Sequence, residues 1–158
     1  MRLKREAFRH IEAEIFAYHD TLKYMQELRK NLTLGTEYRE EKGLDVKVSG
    51  GGYVGSAVER RATKLADHVM LREMERITDA IYEVYSHAKD ECREVVYLKY
   101  GLKISWAPPK DLVRLVESGR QRNMKHDALA RKLNMAERTF FRYKNGFVYG
   151  VAEKIGWW

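Results

Sequence analysis

The sequence is poor in residues that interrupt helices and in residues that cross-link chains. Only two prolines occur among 158 residues, side by side at Pro108 and Pro109. Proline removes a helix hydrogen bond and clashes with the preceding turn, so long helices are permitted almost everywhere else. The single cysteine, Cys92, excludes an internal disulfide and suits a reducing compartment. No apolar run approaches the ~20 residues needed to span a bilayer. The opening Met1-Arg-Leu-Lys-Arg-Glu is basic but continues amphipathically, without the apolar segment of a secretion signal. A cytoplasmic location is therefore expected.

Metal-binding and catalytic patterns are also missing. The histidines, at 10, 19, 68, 87 and 126, form no His-x-x-x-His pair and join no cysteine at ligand spacing. Glu40-Glu41 and Asp90-Glu91 are sequence neighbours, so on a helix each pair diverges and cannot share a proton. Cys92 reads as a small residue of a helix interior. The glycines at 50–52 and 55 are neither preceded by an apolar strand nor followed by Gly-Lys-Ser/Thr, which speaks against a phosphate-cradling loop. The expectation is a protein that is not an enzyme and needs no cofactor or metal.

What the chain does contain is charge, unevenly placed. The net charge is +7. Lysine and arginine against aspartate and glutamate number 10 to 9 over residues 1–57, 11 to 11 over 58–119 and 9 to 3 over 120–158. Nearly all the surplus sits in the last quarter, and screening over ~8–10 Å makes such clustering matter more than the total.

Apolar periodicity predicts an all-α fold with long N-terminal helices. Over residues 4–32, Phe8, Ile11, Ile15, Tyr18, Leu22 and Met25 recur at 3–4 spacing for more than three heptads. Such a stripe needs a covering surface, either the rest of the chain or a second copy. The second copy is the expectation, so these six are read as oligomerisation residues of a domain at 1–32. Residues 33–55, rich in glycine, read as a flexible linker. A helical domain over 56–158 follows, with helices at about 56–88 and 89–100, the second ending at Gly101. A short helix begins after the proline pair.

The informative segment is His126-Asp-Ala-Leu-Ala-Arg-Lys-Leu-Asn-Met-Ala-Glu-Arg-Thr-Phe-Phe-Arg-Tyr-Lys-Asn145. A helix-turn-helix needs apolar and small residues at fixed offsets around a tight turn. Leu129, Leu133, Met135, Phe140 and Tyr143 supply the shared core, and Ala130 permits close approach. Asn134 falls where the first helix must end left-handed, a conformation asparagine tolerates best after glycine. With that core fixed, a recognition helix over 136–149 turns Ala136, Glu137, Arg138, Phe141, Arg142 and Asn145 outward. The last five are expected to read base edges, arginine suiting guanine and glutamate suiting cytosine. Lys125, Arg131, Lys132, Thr139 and Lys144 are expected to touch phosphates. Double-stranded DNA is the implied partner.

The segment Lys4-Arg-Glu-Ala-Phe-Arg-His-Ile-Glu-Ala-Glu-Ile-Phe-Ala-Tyr-His-Asp-Thr-Leu22, the glycines at 50–52, and the closing Thr139-Phe-Phe-Arg-Tyr…Val151-Ala-Glu-Lys-Ile-Gly-Trp157 resemble the RinA/ArpU-type phage transcription regulators. Glu94-Val-Val-Tyr-Leu-Lys-Tyr100 followed by the helix-turn-helix is similar to region 4 of sigma factors. The resemblance implies an activator of phage late genes, for packaging and morphogenesis, acting in the host cytoplasm, with host RNA polymerase as a further candidate partner. Two departures stand out. Ala136 takes the place of the usual Ser or Thr at the start of the recognition helix, and the stretch between Tyr100 and His126 is longer than usual. The alternative reading is a DNA-packaging adaptor like the small terminase subunit, which also joins a helix-turn-helix to oligomerising helices.

Overall fold

The computed structural model describes residues 3–41 and 54–157, and these are all-helical, without strands. Six α-helices follow in order: α1 Arg5–Glu41, α2 Val54–Ser86, α3 Asp90–Tyr100, α4 Lys110–Glu117, α5 His126–Lys132 and α6 Glu137–Ile155. A 3₁₀ turn at Arg120–Asn123 lies between α4 and α5. Among the described residues no helix is long and apolar enough to cross a membrane.

The helix boundaries follow the stop signals in the sequence. Gly101 adopts φ 68° and its N–H returns to the Tyr97 carbonyl at 2.8 Å, ending α3. Pro109 stands at the N-cap of α4, where its fixed φ is already helical and its missing N–H costs nothing. Residues 33–41 and 54–55 prove helical, which corrects the expected linker at 33–55; residues 42–53 of it lie outside the described residues.

By contacts the chain divides into two compact units. The first takes the chain up to His19 and from Ile77 onward, and the second is Asp20–Arg76. This division differs from the expected 1–32, 33–55 and 56–158, because two long helices each donate their halves to different units.

In the first unit the largest fully buried side chains include Ile11 and Ile15 of α1, Ile81 and Tyr85 of α2, Val95 and Leu98 of α3, Phe140 of α6 and Leu129 of α5. Helix α6 packs against α3 and α5, while α4 packs on α3 and the 3₁₀ turn. In the second unit Met25 and Leu28 of α1 are buried, and Arg29 Nη2 donates to Glu75 Oε1 of α2 at 2.6 Å.

The expected oligomerisation stripe has found its cover at home. Ile11, Ile15, Tyr18 and Met25 are each 5% exposed or less within the single chain, and Phe8 and Leu22 are half-buried. Ile11, Ile15, Tyr18 and Met25 therefore offer no free face to a second copy, which corrects their assignment to an intermolecular seam, while Phe8 and Leu22 stay partly open. The heptad spacing was real, but apolar residues at that spacing fit any helical neighbour, and α2, α3 and α6 supply one.

Helix α6 runs six residues beyond the expected end at 149 and passes through two glycines. Beyond them Val151, Ala152 and Ile155 continue the buried row, so packing outweighs the intrinsic cost of glycine, about 1 kcal/mol each. The two glycines differ in their surroundings. A Cβ at Gly150 would stand 3.1 Å from Val84 Cγ1, whereas one at Gly146 would meet nothing within 4 Å. Gly146→Ala should therefore raise unfolding free energy by about 0.5–1 kcal/mol. Gly150→Ala should gain less or lose stability, and urea denaturation of the two variants checks the contrast.

Candidate nucleic-acid interface

The site begins with the way α5 stops. Met135 N–H donates to the Ala130 carbonyl and Asn134 N–H to the Arg131 carbonyl, both at 3.1 Å, with Asn134 at φ 53°. This is the paired closure of a Schellman motif, with asparagine in the left-handed position that glycine usually fills. The chain is thereby turned within Leu133–Ala136 and α6 starts at Glu137.

A small apolar core fastens the two helices. Leu129, Ala130 and Phe140 are buried in one cluster with Val95, Leu98 and Leu112, and Leu133, Met135 and Tyr143 pack partly buried against it. All five apolar positions expected to form the shared core, together with Ala130, lie in or against this cluster. Ala136 holds the extended N-cap conformation at φ −67°, ψ 145° but offers no side-chain cap. The loss of a side-chain cap costs about 1 kcal/mol, and the Ala136 carbonyl accepts the Thr139 N–H at 2.9 Å.

The outer face of α6 carries most of the residues expected there. Glu137, Arg138 and Arg142 are exposed, and neither arginine takes part in an ion pair among the described residues. Asn145 is half-buried, and Tyr149, 37% exposed, extends the Arg138–Arg142–Asn145 row by another turn. Tyr149 was missed in the sequence, although four-residue spacing from Asn145 points to it. Phe141 is half-buried rather than fully outward: its ring centre lies 4.7 Å from that of His126. Phe141 and Asn145 line an open groove of about 660 Å³ that also receives Lys4, just ahead of α1, and Phe8 of α1. The N-terminal turn of α1 thus borders the same face, which local sequence pattern could not reveal.

Of the expected phosphate contacts, Lys125 and Lys132 are exposed and Thr139 is half-buried. Arg131 is exposed and pairs with Asp127 one turn earlier, at 2.7 Å. Lys144 must be reassigned. It is 7% exposed, and its Nζ donates to Glu12 Oε1 of α1 at 3.0 Å. It also stands 5.1 Å from the centre of the Phe8 ring. The reason is its place on α6, one turn after Phe140 and one turn before Val148, both fully buried. That face meets protein, so the ammonium is spent inside the fold.

The electrostatics of this interior pair are closed by a third group. The Tyr100 hydroxyl donates to the same Glu12 oxygen at 2.7 Å. Burial works against ionising Glu12, but the Tyr100 hydroxyl and then the Lys144 ammonium outweigh it and hold the carboxyl below its ordinary value of 4.5. Burial, and after it the hydrogen bond to Glu12, pushes the Tyr100 phenol upward. Burial first, then Lys99 and Lys144, pulls His126 below its ordinary 6.5, so the imidazole beside Phe140 and Phe141 is neutral at physiological pH. Burial raises the Cys92 thiol to about 11, which keeps it protonated and unreactive at neutral pH.

The class these features define is an all-helical protein presenting a short helix, a four-residue turn and a longer helix with an arginine-bearing outer face. The chain matches no protein-family model, no curated protein and no solved structure.

Lys144→Ala should cost on the order of 2–3 kcal/mol in urea denaturation, since it strands a largely buried carboxylate. Lys132→Ala, at the surface, should stay within about 0.5 kcal/mol. Because the Glu12 carboxyl is depressed, its contribution is complete above pH 4.5 and is lost as pH falls below that value. Glu12→Gln should flatten the acid limb of the stability profile.

Proposed function

We propose that the chain is a double-stranded DNA-binding protein of the helix-turn-helix kind, with α5 and α6 as the motif and α6 as its recognition helix. The observation that carries this reading is the exposed pair Arg138 and Arg142, one turn apart and without a carboxylate partner among the described residues, on a helix clamped to α5 through Phe140. At 1.5 Å rise per residue, Arg138 to Asn145 spans ~10 Å, which suits a major groove ~12 Å wide. Base edges are read by Arg138, Arg142 and Asn145, with Glu137 and Tyr149 at the ends of the row. Lys125 and Lys132 take phosphates, and Arg131 joins them when duplex charge competes with Asp127 for its guanidinium. Lys144 serves by locking α6 in place.

The resemblance to RinA/ArpU-type regulators extends this reading to transcription control, with promoter DNA as the target and activation of phage late genes as the outcome. Interior burial of the α1 stripe supports no particular assembly, so the number of half-sites follows from the operator and not from that seam.

Arg142→Ala should weaken binding to the selected site by about 1–3 kcal/mol and relax preference at one base position. Lys132→Ala should weaken all sequences alike. Selection of bound fragments from random duplex DNA, followed by titration of both variants, measures this. If both variants retain wild-type affinity and preference, the assignment of contacts is wrong.

A further inference from the structure

The segment between Tyr100 and His126, longer than the resemblance leads one to expect, folds into a packed corner. Leu112 of α4 is buried in the same cluster as Leu129 and Phe140, and Leu115, Val116 and Met124 pack against it. Gln121 is buried as well. Helix α4 is closed by Ser118 at its C-cap, whose hydroxyl donates to the Leu115 carbonyl at 2.8 Å. Gly119 then takes φ 70°, a left-handed turn that sends the chain straight into the 3₁₀ turn. The corner is therefore held by the core that also holds α5 against α6.

This construction brings cations from three elements to one place. Arg114 of α4, Arg120 of the 3₁₀ turn and Lys132 of α5 line a single open hollow of about 450 Å³. All three are exposed, and none takes part in an ion pair among the described residues. Asp111 is the one carboxylate among the lining residues. Between Lys110 and Arg142 nine lysines and arginines stand against four acids, so the imbalance continues around the hollow. Like charges gathered on a packed frame repel one another, and an anion placed between them relieves that repulsion.

We infer that this hollow seats the phosphate backbone of duplex DNA beside the groove occupied by α6, with Arg114 and Arg120 as phosphate ligands. The inference rests on the proposed function and enlarges its footprint. Lys132 joins the two surfaces, since it ends α5 immediately before the turn into α6. The first helix of such a pair crosses the sugar–phosphate backbone, so a strand passing Lys132 continues toward Arg114 and Arg120. Guanidinium groups suit the task through bidentate pairing with phosphate oxygens. The contribution is independent of base sequence.

The test uses the full chain with fluorescein-labelled duplexes, one of the selected sequence and one random, titrated at several salt concentrations. Loss of each phosphate contact lowers the slope of log affinity against log salt by about 0.9, so R114A/R120A should lose about 1.8 on both duplexes. The ratio of affinities for the two duplexes should be unchanged, and R114K/R120K should restore most of the slope, which a folding defect would not allow. A wild-type slope in R114A/R120A overturns the inference and leaves the proposed function standing. A slope loss confined to the selected duplex also overturns it, because that marks base readout. If the unmodified chain binds neither duplex with salt dependence, the proposed function itself falls.

Discussion

The burial of Phe140 against Leu129 and Ala130 is the constraint on which the candidate site depends. A helix of seven residues such as α5 is too short to persist in water on propensity alone. Its existence requires a tertiary surface, which the Phe140 ring and the side chains of α3 provide. The same contact sets the rotation of α6 about its axis. With Phe140 inward, Arg138 and Arg142 must point outward, and their exposure is a consequence of the clamp.

A second constraint acts on the same inward face of α6, one turn beyond Phe140. Lys144, Glu12 and Tyr100 join α6, α1 and α3 through one carboxylate oxygen. An interior ion pair adds little net stability over a well-packed apolar substitute, but a broken one is expensive. Such a group penalises every packing of α1 that leaves either charge unpaired. It therefore favours one register of α1 against α6, and that register brings Lys4 and Phe8 to the groove beside Phe141 and Asn145. Apolar contacts from Ile11 and Ile15 supply the bulk attraction and the polar triad selects its geometry.

Local chemistry was legible where the responsible residues lie close together in sequence. Gly101, Asn134 and the Pro108-Pro109 pair each fix backbone conformation within a turn, and each stands at the helix boundary expected of it. The helix pair around 126–145 was readable for the same reason, since its core residues are all supplied within some fifteen positions. Lys144 shows where such reading fails. Its neighbours in sequence give a basic outer helix, and nothing local announces that Glu12, far away along the chain, waits on that side. The α1 stripe failed in the same way, because the spacing of Ile11, Ile15 and Tyr18 states that a surface will be covered but not by what.

The sequence alone determined that this chain is helical, where several of its helices stop, and that its positive charge gathers toward the end, because these follow from backbone propensity, periodicity and composition. Tertiary structure alone decided which cations remain free and which are consumed. It turned Lys144 inward, left Arg138 and Arg142 exposed, and gathered Arg114, Arg120 and Lys132 around one hollow. The physical reason is that a side chain's electrostatic role depends on the charges and the water around it. Those are set by segments distant in sequence, brought together only when the apolar core closes.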